Sequence, residues 1–388
     1  MWARTNSVGE EVGRRTRVST VPTLLFREEG RSSLGARTPG EGNPMVGPVL
    51  RRAGACLLGI TLLSAAPASA LAAATPQQRA RDGAGYVASH QKANGSIPAF
   101  SPIGSTADAI VSFVAAGRGA GNVRGALRFL SQQVGAGNVT GVGLRAKVVM
   151  AAVAAGKDPR TFGGSNLVSQ IRQTQRPNGR YGASTAVYDQ ALAMLALAAS
   201  GAGPSKRATS WLASAQCDDG GWQYDAPAAP ADDHHCLDGV DPSTDFFESD
   251  TNTTSLALQA LAVGRGDQTP AHDPFAFFSS LRDPQFGGWG YTWGLETTDA
   301  NSTALVIQAY AASGTPLPSG ALGALNALQY RSCGAWAYSW TDDGHGGFAR
   351  TSPDVGATIG AILGAIQRPL PVGSRPVTKP APSEPSCA

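Results

Sequence analysis

The stretch RATSWLASAQCDDGGW, residues 207–222, is an amphipathic run that ends in Gln216, a short spacer, Gly220, one further residue and Trp222. The order of those last residues has a physical logic. Glycine permits a tight turn, and tryptophan covers a helix end with a large apolar area. Related endings occur at QRPNGRY (175–181), QFGGW (285–289) and QYRSCGAW (329–336), while QKANGSI (91–97) keeps only the Gln and the Gly.

A second unit alternates with the first. It is an Ala/Leu-rich run that closes on Gly or simply stops: DAIVSFVAAG (108–117), GLRAKVVMAAVAAG (143–156), DQALAMLALAASG (189–201), DTNTTSLALQALAVG (250–264), DANSTALVIQAYAASG (299–314) and DVGATIGAILGAI (354–366). Each is long enough for three or four helical turns, and most offer an Asp or a neighbouring hydroxyl as N-cap. They are apolar or small on nearly every face, the mark of helices buried all round. Six such inner helices alternating with six amphipathic outer ones form a repeat architecture that closes on itself. The expected fold is all-α: an (α/α)6 toroid of six helical hairpins over residues 71–367.

Arg207, Ala208, Trp211, Leu212, Gln216, Gly220 and Trp222 together resemble the QW motif of the terpenoid cyclase and protein prenyltransferase superfamily. The resemblance implies a six-hairpin α/α barrel in which the motif ties an outer helix end to the next inner helix. More distantly the chain is similar to the α/α barrel of cobalamin carriers, whose inner helices begin with a like D-x-x-x-T-A. Those carriers have a second, β-rich domain that is not matched here.

The ends read differently from the repeats. Residues 45–70 carry Arg51 and Arg52, an apolar run from Ala53 to about Ala66, and Ala68-Ser69-Ala70, the pattern of a secretory signal peptide with a mature start near Leu71. Residues 1–44 read as a non-native or disordered extension, and the Pro-rich segment 368–388 as a disordered tail. Nine of the 31 Lys+Arg and five of the 28 Asp+Glu lie in residues 1–70, so the remainder has a net charge of −1. Nothing in it forms the basic stripe that nucleic acid requires, and no later apolar run reaches a membrane span. Export would favour disulfides among Cys217, Cys236, Cys333 and Cys387; Cys217 with Cys236 is the preferred pair, because they flank one loop.

The chemistry is expected where inner helices begin. Class II terpenoid cyclases start one inner helix with D-x-D-D-T-A, whose middle carboxylic acid protonates an alkene or epoxide. Here Asp299-Ala300-Asn301-Ser302-Thr303-Ala304 and Asp250-Thr251-Asn252-Thr253-Thr254-Ser255 resemble that frame with two of the three carboxyls lost. A neutral amide has no proton acidic enough for an alkene. Asp250, Asp299 and Asp354 read first as N-caps, and otherwise as polar contacts at a mouth where the helix N-termini converge. The zinc ligands of prenyltransferases have one dense counterpart, the loop with His234, His235, Cys236 and Asp238; with Cys236 assigned to a disulfide, His234, His235 and Asp238 remain as weak candidates and no metal site is assigned. No cofactor is implied.

From Cys217 to Asp250 there are ten Asp or Glu and no Lys or Arg, so this loop reads as an acidic lid over the mouth or a solvated loop stapled by a disulfide. Aromatic residues recur beside it: Tyr224, then Trp289, Tyr291 and Trp293, then Tyr338 and Trp340. The first Trp of each set reads as a cover for a helix end. The later ones could line a cavity for an apolar ligand or stack on sugars. With Asp250, Asn252, Asp299 and Asn301 they make up the candidate ligand rim. Three classes of function remain: a secreted module binding a small molecule or an envelope component, an exported enzyme of the toroid type, and a structural envelope protein. The degraded acid motif on a well-kept scaffold favours the first.

Overall fold

In the computed structural model, which describes residues 74–183, 186–225, 249–383 and 387, outer and inner helices alternate as the repeats require. The outer helices are α1 (Pro76–Ser89), α3 (Ala120–Gly135), α5 (Leu167–Gln173), α7 (Lys206–Ser214), α9 (Pro274–Ser280) and α11 (Ala321–Ala327). The inner ones are α2 (Pro102–Ala116), α4 (Val142–Ala154), α6 (Val187–Ala199), α8 (Thr251–Ala262), α10 (Ala300–Ser313) and α12 (Val355–Ala365). Each inner helix packs on the next, α12 returns to α2, and α1 packs on both α2 and α12, so the ring closes. The expected (α/α)6 toroid is the observed fold.

Sequence dictates the helix starts. Ser101, Asp250, Asp299 and Asp354 cap α2, α8, α10 and α12, each side chain accepting an N–H from the first turn. Burial all round the inner helices then supplies the packing that their short lengths could not supply alone.

The motif residues do more than cover helix ends. Trp222, Trp289 and Trp336 are each 0% exposed. Each indole N–H donates back to a carbonyl of its own outer helix, those of Leu212, Phe278 and Leu325, at 2.7–3.0 Å. Each backbone N–H donates to a threonine four residues after a capping Asp: Thr254, Thr303 and Thr358. Strand β1 (Trp222–Gln223) pairs Trp222 with Asp250 on β2 (Ser249–Asp250). Likewise β3 (Trp336–Ala337) pairs Trp336 with Asp354 on β6 (Pro353–Asp354), and the Asp299 N–H donates to the Trp289 carbonyl. The D-x-x-x-T frame is therefore held by the Trp of the same hairpin.

The glutamines act elsewhere. Gln216 Nε2 donates to the carbonyls of Gly220 and His272, and its Oε1 accepts the His272 N–H, so it grips the start of the next outer helix, α9. Gln329 does the same to Arg79 of α1, Gln91 to Asn122 of α3, and Gln175 to Ser205 before α7. The expectation that the motif joins outer to inner helix holds for its tryptophan; its glutamine links outer helix to outer helix. One copy was also read in the wrong register. In 285–289 the linking residue is Arg282, whose Nε donates to the Gly287 carbonyl while Nη2 reaches the Ser319 carbonyl before α11. Arg282 bridges to Trp289 as Gln175 does to Tyr181 and Gln329 to Trp336. A guanidinium replaces the amide because both are planar donors.

The Pro-rich segment, expected to be disordered, is laid across the C-terminal ends of the inner helices. The Leu370 N–H donates to Gln259 Oε1 on α8, the Arg375 N–H to the Ala154 carbonyl at the end of α4, and Lys379 offers its carbonyl to Gly119 and Ala120. Val372 is buried in the main core, and Cys387 is joined to Cys333 by a disulfide. Apolar residues at 370, 372 and 377 give the tail enough surface to pack, which a composition reading overlooks. Cys217 is also disulfide-bonded; the expected partner, Cys236, lies outside the described residues. So does the proposed leader. No helix among the described residues is long and apolar enough to cross a membrane.

Candidate functional site

The inner-helix N-termini open into a central cavity of about 560 Å³. Its wall is mostly apolar, with Val111, Met150, Leu192, Leu256, Leu305, Ile359 and Leu363, and Leu370 of the tail contributes to it. Two polar clusters break that surface. Asn252, Asn301 and Gln308 project from α8 and α10, and Asp108, Lys147 and Tyr188 from α2, α4 and α6. A hollow of about 650 Å³ on the opposite face, between the end of α8, the start of α9 and the end of α10, holds none of these groups.

Position along each helix decides what a residue does. The capping Asp faces the backbone: Asp250 Oδ1 accepts the Thr253 N–H at 2.7 Å, and Asp299 accepts the Ser302 N–H at 2.8 Å and its hydroxyl at 2.7 Å. The residue two further on faces the cavity, so Asn252, Asn301 and Gly356 stand in equivalent places. In the cyclase-like frame that is the place of the middle acid. Here it holds two amides and no side chain.

The aromatic rim splits in three ways. Trp289, taken as a rim candidate, is wholly buried and structural, because its N–H and its area are both used by α9. Tyr224, Tyr291 and Tyr338 each stand two residues after a buried Trp and are partly exposed. Their carbonyls accept the first N–H of α6, α8 and α10 at 2.7–2.9 Å, which fixes the rings at the mouth. Tyr224 stacks on Tyr188 at 5.7 Å, and Trp293 is exposed beside Tyr291. Trp340, on the hairpin of β4 (Trp340–Asp342) and β5 (Phe348–Arg350), stacks flat on Phe286 at 4.8 Å with Phe348 edge-on. Of the exposed large apolar side chains among the described residues, Phe100 and Tyr338 line the cavity itself.

Electrostatics follow burial. Asp250 is pushed up to about 7 by burial, against hydrogen bonds from Thr253, Asn252 and Tyr291, and its Oδ2 has no donor within hydrogen-bonding distance among the described residues. Asp299 is pushed up to about 6 in the same way, and Tyr338 up to about 12 by burial and then by Asp299 and Asp354. Lys147 forms a 2.7 Å ion pair with Asp108, their side chains 23% and 38% exposed. Burial opposes the lysine's charge, but Asp108, Tyr188 and Asp189 outweigh it and hold the ammonium above its ordinary range.

This pair was not recognised from sequence. Asp108 opens the first apolar run as read from sequence, yet α2 begins at Pro102 with Ser101 as its cap, so Asp108 sits in its second turn. The missed signal was Lys147, a lysine that with Arg145 interrupts an otherwise apolar inner run. Of the rim candidates, Asn252, Asn301 and Tyr338 line the cavity; Tyr224, Tyr291 and Trp293 are exposed and outside its lining, Tyr224 joining it through its stack on Tyr188. Asp250 and Asp299 cap beneath them. The metal candidates His234, His235 and Asp238 lie outside the described residues.

No family model and no curated protein sequence matches the chain. Solved structures do. The GH76A α-1,6-mannanase of Salegentibacter sp. HEL1_6 superposes with a TM-score of 0.50 at 12% identity, over 76% of this chain and 98% of that one. The type II terpene cyclase MstE of Scytonema gives a TM-score of 0.50 at 14% identity, over 75% and 97%. At such identities likeness extends to architecture alone. What the chain shares with both is the α/α toroid.

Proposed function

We propose that the chain is an exported binding protein that holds an apolar or amphipathic small molecule in the central cavity. The observation that carries this reading is the cavity itself: about 560 Å³ in which Leu, Val, Ile and Met side chains alternate with polar groups from all six inner helices, the cap of α12 included, the lining an amphipathic molecule needs. The aromatic rim is consistent with an entrance for such a molecule. Disulfides at Cys333–Cys387 and at Cys217 suit an oxidising compartment. The amides of Asn252 and Asn301, where a cyclase would place its acid, argue against alkene protonation.

The test is displacement of an apolar fluorescent probe, N-phenyl-1-naphthylamine. Leu256→Trp fills the cavity from α8 and should weaken probe binding at least tenfold, on the order of 1.4 kcal/mol, while the melting temperature changes little. Unchanged binding in a folded Leu256→Trp variant would place the probe elsewhere and defeat the reading.

A second reading has one observation in its favour. Asp250, buried and held at about 7 with no donor on Oδ2 among the described residues, is the kind of group that serves as a general acid near neutrality. It predicts a turnover that Asp250→Asn abolishes without loss of fold. The solved neighbours are enzymes by name, and a shared toroid transfers neither of their activities.

A further inference from the structure

Gln259 and Gln308 occupy the same place in neighbouring inner helices, the first nine residues after Asp250 and the second nine after Asp299. Each turns its amide nitrogen back onto its own helix. Gln259 Nε2 donates to the Ser255 carbonyl at 3.2 Å, and Gln308 Nε2 to the Ala304 carbonyl at 3.1 Å. A carbonyl can only accept, so these bonds fix which way each amide faces and leave Oε1 as the atom without a partner on its own helix.

The two oxygens then meet different fates. Gln259 Oε1 accepts the Leu370 N–H at 2.8 Å, which fastens the tail beneath the cavity. Gln308 Oε1 is buried and finds no donor among the described residues. The side chain is 1% exposed and forms part of the cavity wall beside Leu305, Leu363 and Leu370. Packing does not demand an amide here. The equivalent place in α12, nine residues after Asp354, is Leu363.

We propose that Gln308 Oε1 is the hydrogen-bond acceptor for the cavity's ligand, and that the ligand is an apolar molecule presenting a hydroxyl or N–H at its buried end. The proposal rests on reading the cavity as a binding site and specifies what that site selects. A neutral carbonyl among leucines suits a neutral donor; an ammonium would lose its hydration for a single uncharged partner. The charged groups of the lining are already engaged: Lys147 and Asp108 pair with each other, and Asp354 accepts the Ala357 N–H as the cap of α12.

An isomeric pair of probes separates donor from bulk: 1-decanol and methyl nonyl ether have the same formula, and only the first can donate. Each is titrated against N-phenyl-1-naphthylamine bound to the full chain. The wild type should favour the alcohol about tenfold. Gln308→Leu, which copies the side chain at Leu363, should erase or invert that preference without lowering the melting temperature, and Gln308→Met should do the same if the first variant folds poorly. Equal displacement by both probes in the wild type, or a preference for the alcohol that survives both substitutions, overturns the proposal while leaving cavity binding intact. Failure of the naphthylamine to bind the wild type at all would instead remove the cavity reading on which it stands.

Discussion

Gly220→Ala is expected to lower stability by about 3 kcal/mol or more, whereas Gly314→Ala should cost only about 1 to 2 kcal/mol, although both glycines lie in the left-handed region. Their φ angles are +92° and +65°. A methyl group at Gly314, the C-cap of α10, would meet nothing within 4 Å, so only the intrinsic strain of the conformation is added. At Gly220 the same methyl would stand 2.5 Å from the Asp273 carbonyl oxygen, the N-cap residue of α9. Relief would require α9 to move away, which also pulls on the Gln216 bonds to His272. With shifts of about 2 to 4 °C per kcal/mol for a domain of this size, the two variants should differ by several degrees in thermal melts. Equal melting temperatures would mean that the glycine is chosen for its backbone angle alone and that the outer ring is not clamped through it.

That comparison also shows how far the sequence could be read. Alternating runs with Gly stops and Asp starts identified both rings, because helix period and capping act within a few residues. The Gln–Gly–Trp ending was legible as a turn, but its partners were not. Gln216 reaches a residue 56 positions away and Gln329 one 250 positions away, distances over which a single sequence carries no pairing information. Arg282 was missed for a related reason: its role is defined by the carbonyls it meets, and Gln285, which looked like the motif residue, merely donates its backbone N–H to Asp283.

The site was legible only in part. Asn252 and Asn301 were legible because the resemblance to the D-x-D-D-T-A frame made their amides conspicuous, and helix geometry does turn that position inward. Asp108 looked like its capping counterparts, and only the true start of α2 shows it facing Lys147. Leu370 and Gln308 had no signal at all, since one lies in a Pro-rich tail and the other resembles any polar residue on a helix. Burial, which no local pattern reports, is what gives them meaning.

Replacing Asp250 and Asp299 together by Asn should make the protein more stable at pH 8 and leave it nearly unchanged at pH 4. The sign follows from proton binding. Burial raises the folded-state values to about 7 and about 6, above an ordinary 3.8, so between those limits the folded chain holds protons that the unfolded chain has released. Stability must then fall as pH rises through that window and level off above about 7. At 1.36 kcal/mol per unit the loss is on the order of 4 kcal/mol for Asp250 and 3 kcal/mol for Asp299. Asparagine caps a helix about as well as aspartate, so the backbone N–H bonds of Thr253 and Ser302 survive, the Ser302 hydroxyl must turn to accept from the new Nδ2, and the buried charge is gone. The quantity to measure is the difference between wild type and double variant in denaturant melts across pH 4 to 8, which cancels every group the two share. A variant less stable than wild type at pH 8 would show that the ionised carboxylates are solvated at the mouth rather than desolvated beneath it. If the variant is instead more stable yet releases N-phenyl-1-naphthylamine, the carboxyls are retained against stability for the sake of the ligand, since Asn252 and Asn301 show that amides are accommodated only two residues away.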